Sequence, residues 1–359
     1  MKLIIQPPDG VDRLVKGIRK AKKSVEIMIF RFDRGEIERA LVEAVERGLF
    51  VHALIAFTNR GGEGQLRKLE MHFLANGVTV ARTAGDLVRY HGKMMIVDRK
   101  ELYVLGFNFT HLDTDRSRSF GVITRNPKLV AEAVKLFEAD TKRQAYTAAH
   151  HNFVVSPVNA RKELARFIKG AKKELLIYDP KISDKPMLRL LDERRHAGVE
   201  VRVVGSVSGD RLPCCELKSM RLHTRTIVRD RAQAFIGSQS LRQLELDARR
   251  EIGVIVRDSS IIKDLCRVFE EDWKASALGE RDEKEEAIGP KKAARKVARK
   301  VLKQIALEPV AEKVAKAIHK KIDGKTDKKE IDETVKELVQ DVAREVAEKA
   351  AVEARKTGA

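Results

Sequence analysis

The hydrophobic positions of the chain alternate between two periodicities. In 11–30, "VDRLVKGIRKAKKSVEIMIF", apolar residues first recur every three or four positions and then form a nearly unbroken run. This succession is typical of an amphipathic helix followed by a buried strand. It recurs, with the same "AKK" stretch, in 161–180, "RKELARFIKGAKKELLIYDP". Segments 40–57 and 189–206 each add a second helix, a glycine near its end and another apolar strand. Alternating strands and helices predict an α/β fold.

The similarity between the two halves continues at a constant spacing. "RYHGKMMIVD" (89–98) corresponds to "RLHTRTIVRD" (221–230), 132 positions later. At the same spacing, "SFGVIT" (119–124) corresponds to "EIGVIV" (251–256), and a helical pattern follows each of these strands. The sequence therefore predicts a duplicated α/β sandwich with pseudo-twofold symmetry.

The predicted repeats differ in length. We place the first at 1–148 and the second at 149–275, with a charged linker and a helical C-terminal extension in 276–359. The first repeat contains an additional stretch, "TNRGGEGQLRKLEMHFLANGVTV" (58–80), which predicts a loop, a helix and a strand. Loops of this kind usually shape access to a site.

The C-terminal extension has a different composition. "GERDEKEEAIGP" is typical of a charged linker. In 291–307, "KKAARKVARKVLKQIAL", small apolar residues recur at helical spacing and Lys or Arg occupies the rest of the turn. Such a basic amphipathic helix suits peripheral contact with an anionic membrane or with nucleic acid, or packing against its neighbours. The apolar stripe in 328–356 favours self-association or docking.

The charge and composition of the chain limit the kinds of binding partner and the cellular location that we expect. The net charge is +19, and 276–359 holds 21 Lys+Arg against 17 Asp+Glu, which leaves +15 on 1–275. This surplus attracts polyanions such as nucleic acid or anionic phospholipid headgroups. The chain has no apolar run of about 18 residues and no signal-peptide pattern in "MKLIIQPPDGVDRL". We therefore expect a cytoplasmic protein, with peripheral contact at the inner face of the membrane as one option.

Polar side chains interrupt the apolar strands at corresponding places. His91 and Lys93 precede "MMIVD", and His223 and Arg225 occupy the equivalent positions of the second repeat. If these segments are strands, residues i and i+2 point to the same face, so each histidine shares a face with a cation. One such pair would suit a core histidine bonded to backbone. Two equivalent pairs, each followed by an aspartate, favour a common polar site.

These residues resemble the paired motif of the phospholipase D superfamily, His-x-Lys-x4-Asp followed six residues later by Gly-Ser-x-Asn. The first copy contains His91, Lys93, Asp98 and Asn108, and the second contains His223, Arg225, Asp230, Ser238 and Ser240. The resemblance covers about residues 3–275. It implies that two motifs pack about a pseudo-twofold axis and form one active site between the halves.

The chain departs from the family pattern at several positions. Gly106 replaces the serine of the first copy, Arg225 replaces a lysine, and Ser240 replaces an asparagine. Glu251 stands before the last strand of the second repeat, where Ser119 stands in the first. Arginine keeps the positive charge of lysine but presents a planar fork rather than a point charge. The site is therefore predicted to be asymmetric.

The resemblance implies phosphodiester chemistry through a covalent phosphohistidine. One neutral histidine attacks phosphorus, and the other, protonated, donates to the leaving oxygen. By resemblance we expect His91 to attack and His223 to act as the acid, although the opposite assignment stays open. Lys93 and Arg225 would stabilise the charge on the phosphoryl oxygens. No metal or other cofactor is expected.

The remaining motif residues have supporting roles. Asn108, Ser238 and Ser240 are candidate neutral donors to the phosphate. Glu251 is the candidate carboxylate that orients an imidazole through its far nitrogen. Asp98 and Asp230 lie at predicted strand ends, where salt bridges or turn bonds that hold the motif are favoured over a catalytic role.

Three classes of function remain open. A lipid phosphodiesterase or phosphatidyl transferase, similar to phospholipase D and cardiolipin synthase, fits the double motif and the basic helix. A nucleic-acid phosphodiesterase fits the basic repeats, and "GFNFT" is close to the "GSFNFT" of small nucleases of the superfamily. A catalytically weak phosphate-binding protein is suggested by Gly106, Arg225 and Ser119. We favour the lipid enzyme.

Overall fold

A computed structural model of the chain describes residues 1–57, 63–209 and 212–285. Met1–Gly279 form one compact unit. Of the second unit, Glu280–Ala359, the described residues include only the end of a helix. The predicted basic helix at 291–307 and the helices predicted to self-associate lie outside the described residues.

The first repeat begins with alternating strands and helices and ends with antiparallel strands and a long helix. Its elements are β1 (Lys2–Gln6), α1 (Asp12–Lys20), β2 (Ser24–Ile29), α2 (Gly35–Glu46), β3 (Phe50–Ile55), α3 (Glu63–Ala75), β4 (Thr79–Arg82), β5 (Arg89–Tyr90), β6 (Met94–Val97), β7 (Glu101–Leu105), α4 (His111–Asp115), β8 (Ser117–Thr124) and α5 (Pro127–Thr141). The helix and strand predicted in 58–80 are therefore present as α3 and β4. At the start of α5, the Asn126 side chain accepts the Lys128 N–H, and Pro127 follows as the first helical residue.

The second repeat has nearly the same succession. Its elements are β9 (Phe153–Val155), α6 (Ala160–Lys169), β10 (Glu174–Ile182), α7 (Lys185–His196), β11 (Glu200–Val207), β12 (Cys214–Cys215), β13 (Arg221–Leu222), β14 (Arg225–Arg229), β15 (Gln233–Gly237), α8 (Gln243–Asp247), β16 (Arg249–Arg250), β17 (Ile252–Val256) and α9 (Ser259–Glu285). Helix α9 thus includes the start of the predicted charged linker, since the Glu, Lys and Arg residues after Gly279 are good helix formers.

Each repeat builds one mixed sheet. The strand orders are β1-β8-β7-β6-β2-β3-β4 and β12-β11-β10-β14-β15-β17-β9. The strands connected through helices, β2 to β3 and β10 to β11, are parallel, and the hairpins β6–β7 and β14–β15 are antiparallel. The predicted duplicated α/β architecture is confirmed.

Three apolar cores show how the layers are arranged. A central core contains residues of both sheets and of α5 and α9, among them Met94, Ile96, Tyr178 and Phe269. The opposite face of the first sheet packs against α1, α2 and α3 and includes Met95 and Val97. The equivalent face of the second sheet packs against α6 and α7. The alternation along β6 therefore places its side chains in two different cores.

Two short cross-strands connect the repeats. β5 of the first repeat pairs in parallel with β16 of the second, and β13 of the second pairs in parallel with β8 of the first. The partners are equivalent at the 132-residue spacing: Arg89 faces Arg249, and Arg221 faces Ser117. Each repeat therefore extends a short strand onto the other, immediately before its motif histidine. In the part of the chain that the structure describes, no helix is long and apolar enough to cross a membrane.

Candidate active site

Each motif histidine is held by the opposite repeat. The His91 N–H donates to the carbonyl oxygen of Arg250 at 2.8 Å, and the His223 N–H donates to the carbonyl oxygen of Arg118 at 3.1 Å. Both side chains are buried, with 8% and 5% of the residue exposed. His91 and Lys93 were predicted to lie on a strand, but β6 begins at Met94. The difference arises because this segment is still bonded to the other repeat and joins its own sheet only afterwards.

The two motif cations lie beside both histidines. Lys93 is fully buried, and its Nζ donates to the His91 carbonyl oxygen at 2.7 Å. Arg225 is the first residue of β14, and its Nη1 donates to the His223 carbonyl oxygen at 2.6 Å. Burial, with smaller contributions from Lys93 and Arg225, lowers the pKa of His91 well below its ordinary value. The charges of both cations also lower the pKa of His223, so the two cations lie close enough to act on both histidines.

His91 is paired with a carboxylate from the second repeat. Its Nδ1 lies 2.8 Å from Oε2 of Glu251 and 3.0 Å from Oε1. Glu251 is completely buried, and burial raises its pKa. A carboxylate at this distance favours the tautomer that carries the proton on Nδ1, which leaves the lone pair on Nε2. The Phe30 ring contacts the imidazole edge-on, with ring centroids 4.6 Å apart, and restricts its rotation.

His223 has a different environment. Its Nδ1 lies 3.4 Å from the Ser119 hydroxyl, and its Nε2 lies 3.5 Å from Oδ2 of Asp113. Burial lowers the pKa of His223 well below its ordinary value, while the charge of Asp113 acts in the opposite direction. The two histidines therefore meet their carboxylates through different nitrogens. Glu251 contacts Nδ1 of His91, whereas Asp113 lies near Nε2 of His223.

Asp113 and Glu245 are site residues that the sequence analysis missed. Asp113 accepts the backbone N–H of Asn108 at 2.8 Å, and Glu245 accepts the backbone N–H of Ser240, also at 2.8 Å. Arg221 donates to Asp113 at 2.7 Å. Each acid stands five residues after the last motif position, at the same 132-residue spacing as the histidines. That spacing is the signal that could have identified them.

The predicted neutral donors are already engaged by protein groups. Asn108 Nδ2 donates to Asp113 at 2.6 Å, and Ser240 Oγ donates to Asp179. Ser238 Oγ lies 3.4 Å from the Ile252 carbonyl oxygen and 3.2 Å from the Ile252 N–H. A phosphate that used these groups would have to replace existing bonds.

Asp98 and Asp230 lie at the far end of each hairpin from the histidine. The Asp98 carboxylate accepts the N–H groups of residues 22–24, between α1 and β2. The Asp230 carboxylate accepts those of residues 172–174 in the second repeat. Both residues have positive φ, +54° and +53°, a conformation that aspartate tolerates better than most residues. These bonds hold the segments that lead into β2 and β10, so the geometry favours a structural role for both aspartates.

The environment of Lys93 predicts that anion binding depends on pH. Burial lowers its pKa to about 7, against the opposing charge of Glu251. The protonated amine binds an anion and the neutral amine does not. The affinity for tungstate, a tetrahedral dianion, is therefore expected to be greatest below pH 7 and to fall by up to about tenfold per pH unit between pH 7 and 9. Isothermal titration calorimetry in buffers of different ionisation enthalpy would detect the linked proton uptake.

The control for this prediction is Lys93→Met, in which tungstate should bind weakly and with a smaller change between pH 7 and 9 than in the wild type. The variant keeps both histidines, so any proton uptake by a histidine on anion binding is present in both proteins and cancels in the comparison. An unchanged pH slope in Lys93→Met would contradict the assignment of the pH dependence to Lys93.

Among the described residues, no three His, Cys, Asp or Glu side chains are grouped as metal ligands.

Comparison with known proteins gives a consistent result. The sequence matches the family described as "Cardiolipin synthase, PLD-like domain" over residues 14–141 and 164–273, one segment in each repeat. It is 22% identical over 330 residues to the minor cardiolipin synthase ClsB of Bacillus subtilis (strain 168), covering 77% of this chain and 82% of that protein. It is 30% identical over 144 residues to the mitochondrial cardiolipin hydrolase of Danio rerio, covering 37% of this chain and 60% of that protein. The polyphosphate kinase of Porphyromonas gingivalis has a similar fold, with a TM-score of 0.64 at 17% identity, covering 76% of this chain and 50% of that one.

Proposed function

The chain belongs to the phospholipase D-like family of cardiolipin synthases, and from this membership we propose that it is a phosphodiesterase or phosphatidyl transferase acting on phospholipid phosphodiesters. The observation that carries the proposal is the pair His91–Glu251, formed across the two repeats at 2.8 Å beside Lys93 and Arg225. It combines an oriented imidazole with two cations in a buried site, the combination needed for displacement at an anionic phosphorus.

In the first step, His91 Nε2 attacks phosphorus. A nitrogen–phosphorus bond forms, the bond from phosphorus to the leaving oxygen breaks, and His223 gives its proton to that oxygen. Glu251 stabilises the positive charge that develops on His91 through Nδ1. Binding of the anionic diester between Lys93 and Arg225 favours the protonated form of His223, which is neutral in the free protein.

In the second step, water or an alcohol attacks the phosphohistidine. The neutral His223 now accepts the proton of the incoming hydroxyl, an oxygen–phosphorus bond forms, and the bond to His91 Nε2 breaks. Water gives a phosphomonoester, and an alcohol such as the glycerol of a second lipid gives a new diester. Both outcomes use the same four side chains, so access for the acceptor decides between hydrolysis and transfer.

The preference for lipid over nucleic acid rests on the relatives. The two curated relatives are a cardiolipin synthase and a cardiolipin hydrolase by name. The charge of +15 on 1–275 suits either polyanion, so it does not separate them. We propose peripheral contact with the inner face of the membrane, through the basic helix predicted at 291–307.

The test compares substrates directly. The protein is incubated with phosphatidylglycerol vesicles, with cardiolipin vesicles and with single-stranded DNA, and released products are identified by mass spectrometry. We expect glycerol release, phosphatidyl transfer or cardiolipin cleavage from the vesicles, with no activity in His91→Ala and full activity in His196→Ala, a control that changes an exposed histidine. Cleavage of DNA alone would replace the lipid proposal with a nuclease, and inactivity of the wild type on all three would favour a phosphate-binding protein.

A further inference from the structure

Two arginines occupy equivalent positions at the cross-strands. Arg118 lies on β8 and Arg250 on β16, 132 residues apart. The Arg118 carbonyl oxygen accepts the N–H groups of His223 and Thr224, both at 3.1 Å, and the Arg250 carbonyl oxygen accepts the N–H of His91 at 2.8 Å. The backbone of each arginine therefore fixes the histidine of the opposite repeat.

The Arg118 side chain also reaches into the second repeat. Its Nε and Nη2 donate to the two carboxylate oxygens of Asp272 on α9, at 2.8 and 2.9 Å. Tyr178 donates a further hydrogen bond to Asp272 at 2.6 Å. Both partners of the ion pair are nearly buried, with 11% and 7% of their side chains exposed. A two-bonded arginine–carboxylate pair of this kind fixes both the position and the plane of the guanidinium.

The Arg250 side chain reaches from the second repeat into the first, with fewer hydrogen bonds. Its Nη2 donates to Asp140 on α5 at 2.9 Å, and its Nη1 donates to the Ser156 carbonyl oxygen at 3.1 Å. Arg250 Nε and Asp140 Oδ2 have no hydrogen-bond partner among the described residues. The guanidinium lies 5.7 Å from the centre of the Tyr90 ring, one residue before His91. The two arginines are equivalent, but the attachment of Arg250 is the weaker one.

We propose that Arg118 and Arg250 are positioning residues that act crosswise, each fixing the imidazole of the opposite repeat by anchoring the backbone that carries it. The side chain holds the arginine to a helix of the opposite repeat, and the carbonyl oxygen of the same arginine holds the histidine of that repeat. The inference rests on the proposed function only in taking His91 and His223 as the reacting groups.

The crosswise arrangement separates this role from a general contribution to stability. If the arginines only joined the repeats, losing either would affect both histidines alike. If they act as proposed, Arg118 controls His223 and Arg250 controls His91. A displacement of the reacting atoms by about 1 Å can lower a rate by about 100-fold while binding changes little, so the effect should fall on kcat rather than on KM.

The experiment compares Arg118→Met and Arg250→Met by imidazole ¹H–¹⁵N spectroscopy, with the two histidine signals assigned from His91→Ala and His223→Ala. We expect the His223 signals to shift in Arg118→Met and the His91 signals to shift in Arg250→Met. Where the protein is active, kcat should fall about 10- to 100-fold with KM changed less than about threefold. Arg202→Met is the matched control, since Arg202 forms two hydrogen bonds with Glu270 on α9 at 2.9 Å and, within the described part of the chain, does not bond to either histidine.

Two further variants guard against loss of folding. In Arg118→Met/Asp272→Asn and Arg250→Met/Asp140→Asn, no buried carboxylate is left unpaired, and the same crosswise shifts are expected. Equal shifts of both histidines in every variant, or no shift beyond that of Arg202→Met, would overturn the proposal. Because the spectra need no substrate, crosswise shifts in a protein inactive on all substrates would leave this inference standing and refute only the proposed function.

Discussion

Replacing His91 with alanine is expected to lower the rate of phosphodiester cleavage by roughly 10⁴- to 10⁶-fold, the loss typical of removing a nucleophile. The substitution removes the nitrogen that we propose as the nucleophile, and with it the first step of the proposed reaction. With a ³²P-labelled diester, protein denatured in alkaline detergent, which preserves the phosphorus–nitrogen bond, should carry label on histidine in the wild type and none in His91→Ala. The melting temperature, measured alongside, separates lost chemistry from lost folding.

His223→Ala provides the contrasting result. With a p-nitrophenyl diester the leaving group needs no proton, so the first step should proceed without the acid. The second step lacks its base, so labelled phosphohistidine should accumulate rather than turn over. If label accumulates in His91→Ala and is absent from His223→Ala, the two roles are reversed. Label in neither variant nor the wild type would exclude a covalent intermediate.

Glu251→Gln is expected to have the second-largest effect, lowering kcat by about 10³- to 10⁴-fold. Glutamine has nearly the volume of glutamate and can still contact Nδ1, so the buried packing is kept. What is lost is the negative charge that stabilises the imidazolium of His91 and selects the tautomer with its lone pair on Nε2. Steady-state kinetics on the active substrate should therefore show a loss of kcat with a smaller change in KM.

Ser119→Ala is the matched control for Glu251→Gln, because Ser119 is the equivalent residue of the first repeat. Its hydroxyl lies 3.4 Å from His223 Nδ1, at the limit of a hydrogen bond. We expect a loss of no more than about tenfold. Comparable losses in the two variants would show that the carboxylate at His91 has no special role.

Much of the architecture could be predicted from local patterns. The helix–strand successions and the 132-residue spacing depend on periodicity along the chain, and these patterns predicted the duplicated fold. The segment containing His91 and Lys93 was assigned to a strand because its neighbours are apolar. Its actual conformation is set by a hydrogen bond to Arg250, 159 positions away, and no local pattern contains that information.

The same limit applies to the supporting residues. Glu251 could be suspected from family resemblance. Its pairing with His91, rather than with His223, which is closer along the chain, depends on how the two repeats pack against each other. The side chains of Asn108 and Ser240 were expected to face a phosphate, yet they donate to the buried acids Asp113 and Asp179 in the structure. Asp113 and Glu245, which accept the backbone N–H groups of the same two residues, carry no distinctive local sequence pattern and become visible only when the repeats are aligned.

Covalent joining of the two repeats has a consequence for how a substrate must enter. In a homodimer of a single repeat, one gene would supply both sides of the cleft, and a diester could react in either of two equivalent orientations. Here Lys93 is equivalent to Arg225, and Ser119, near His223, is equivalent to Glu251, which pairs with His91, so the two repeats have diverged. If the proposed roles of His91 and His223 are correct, a phosphodiester therefore has only one productive orientation, with its leaving oxygen towards His223.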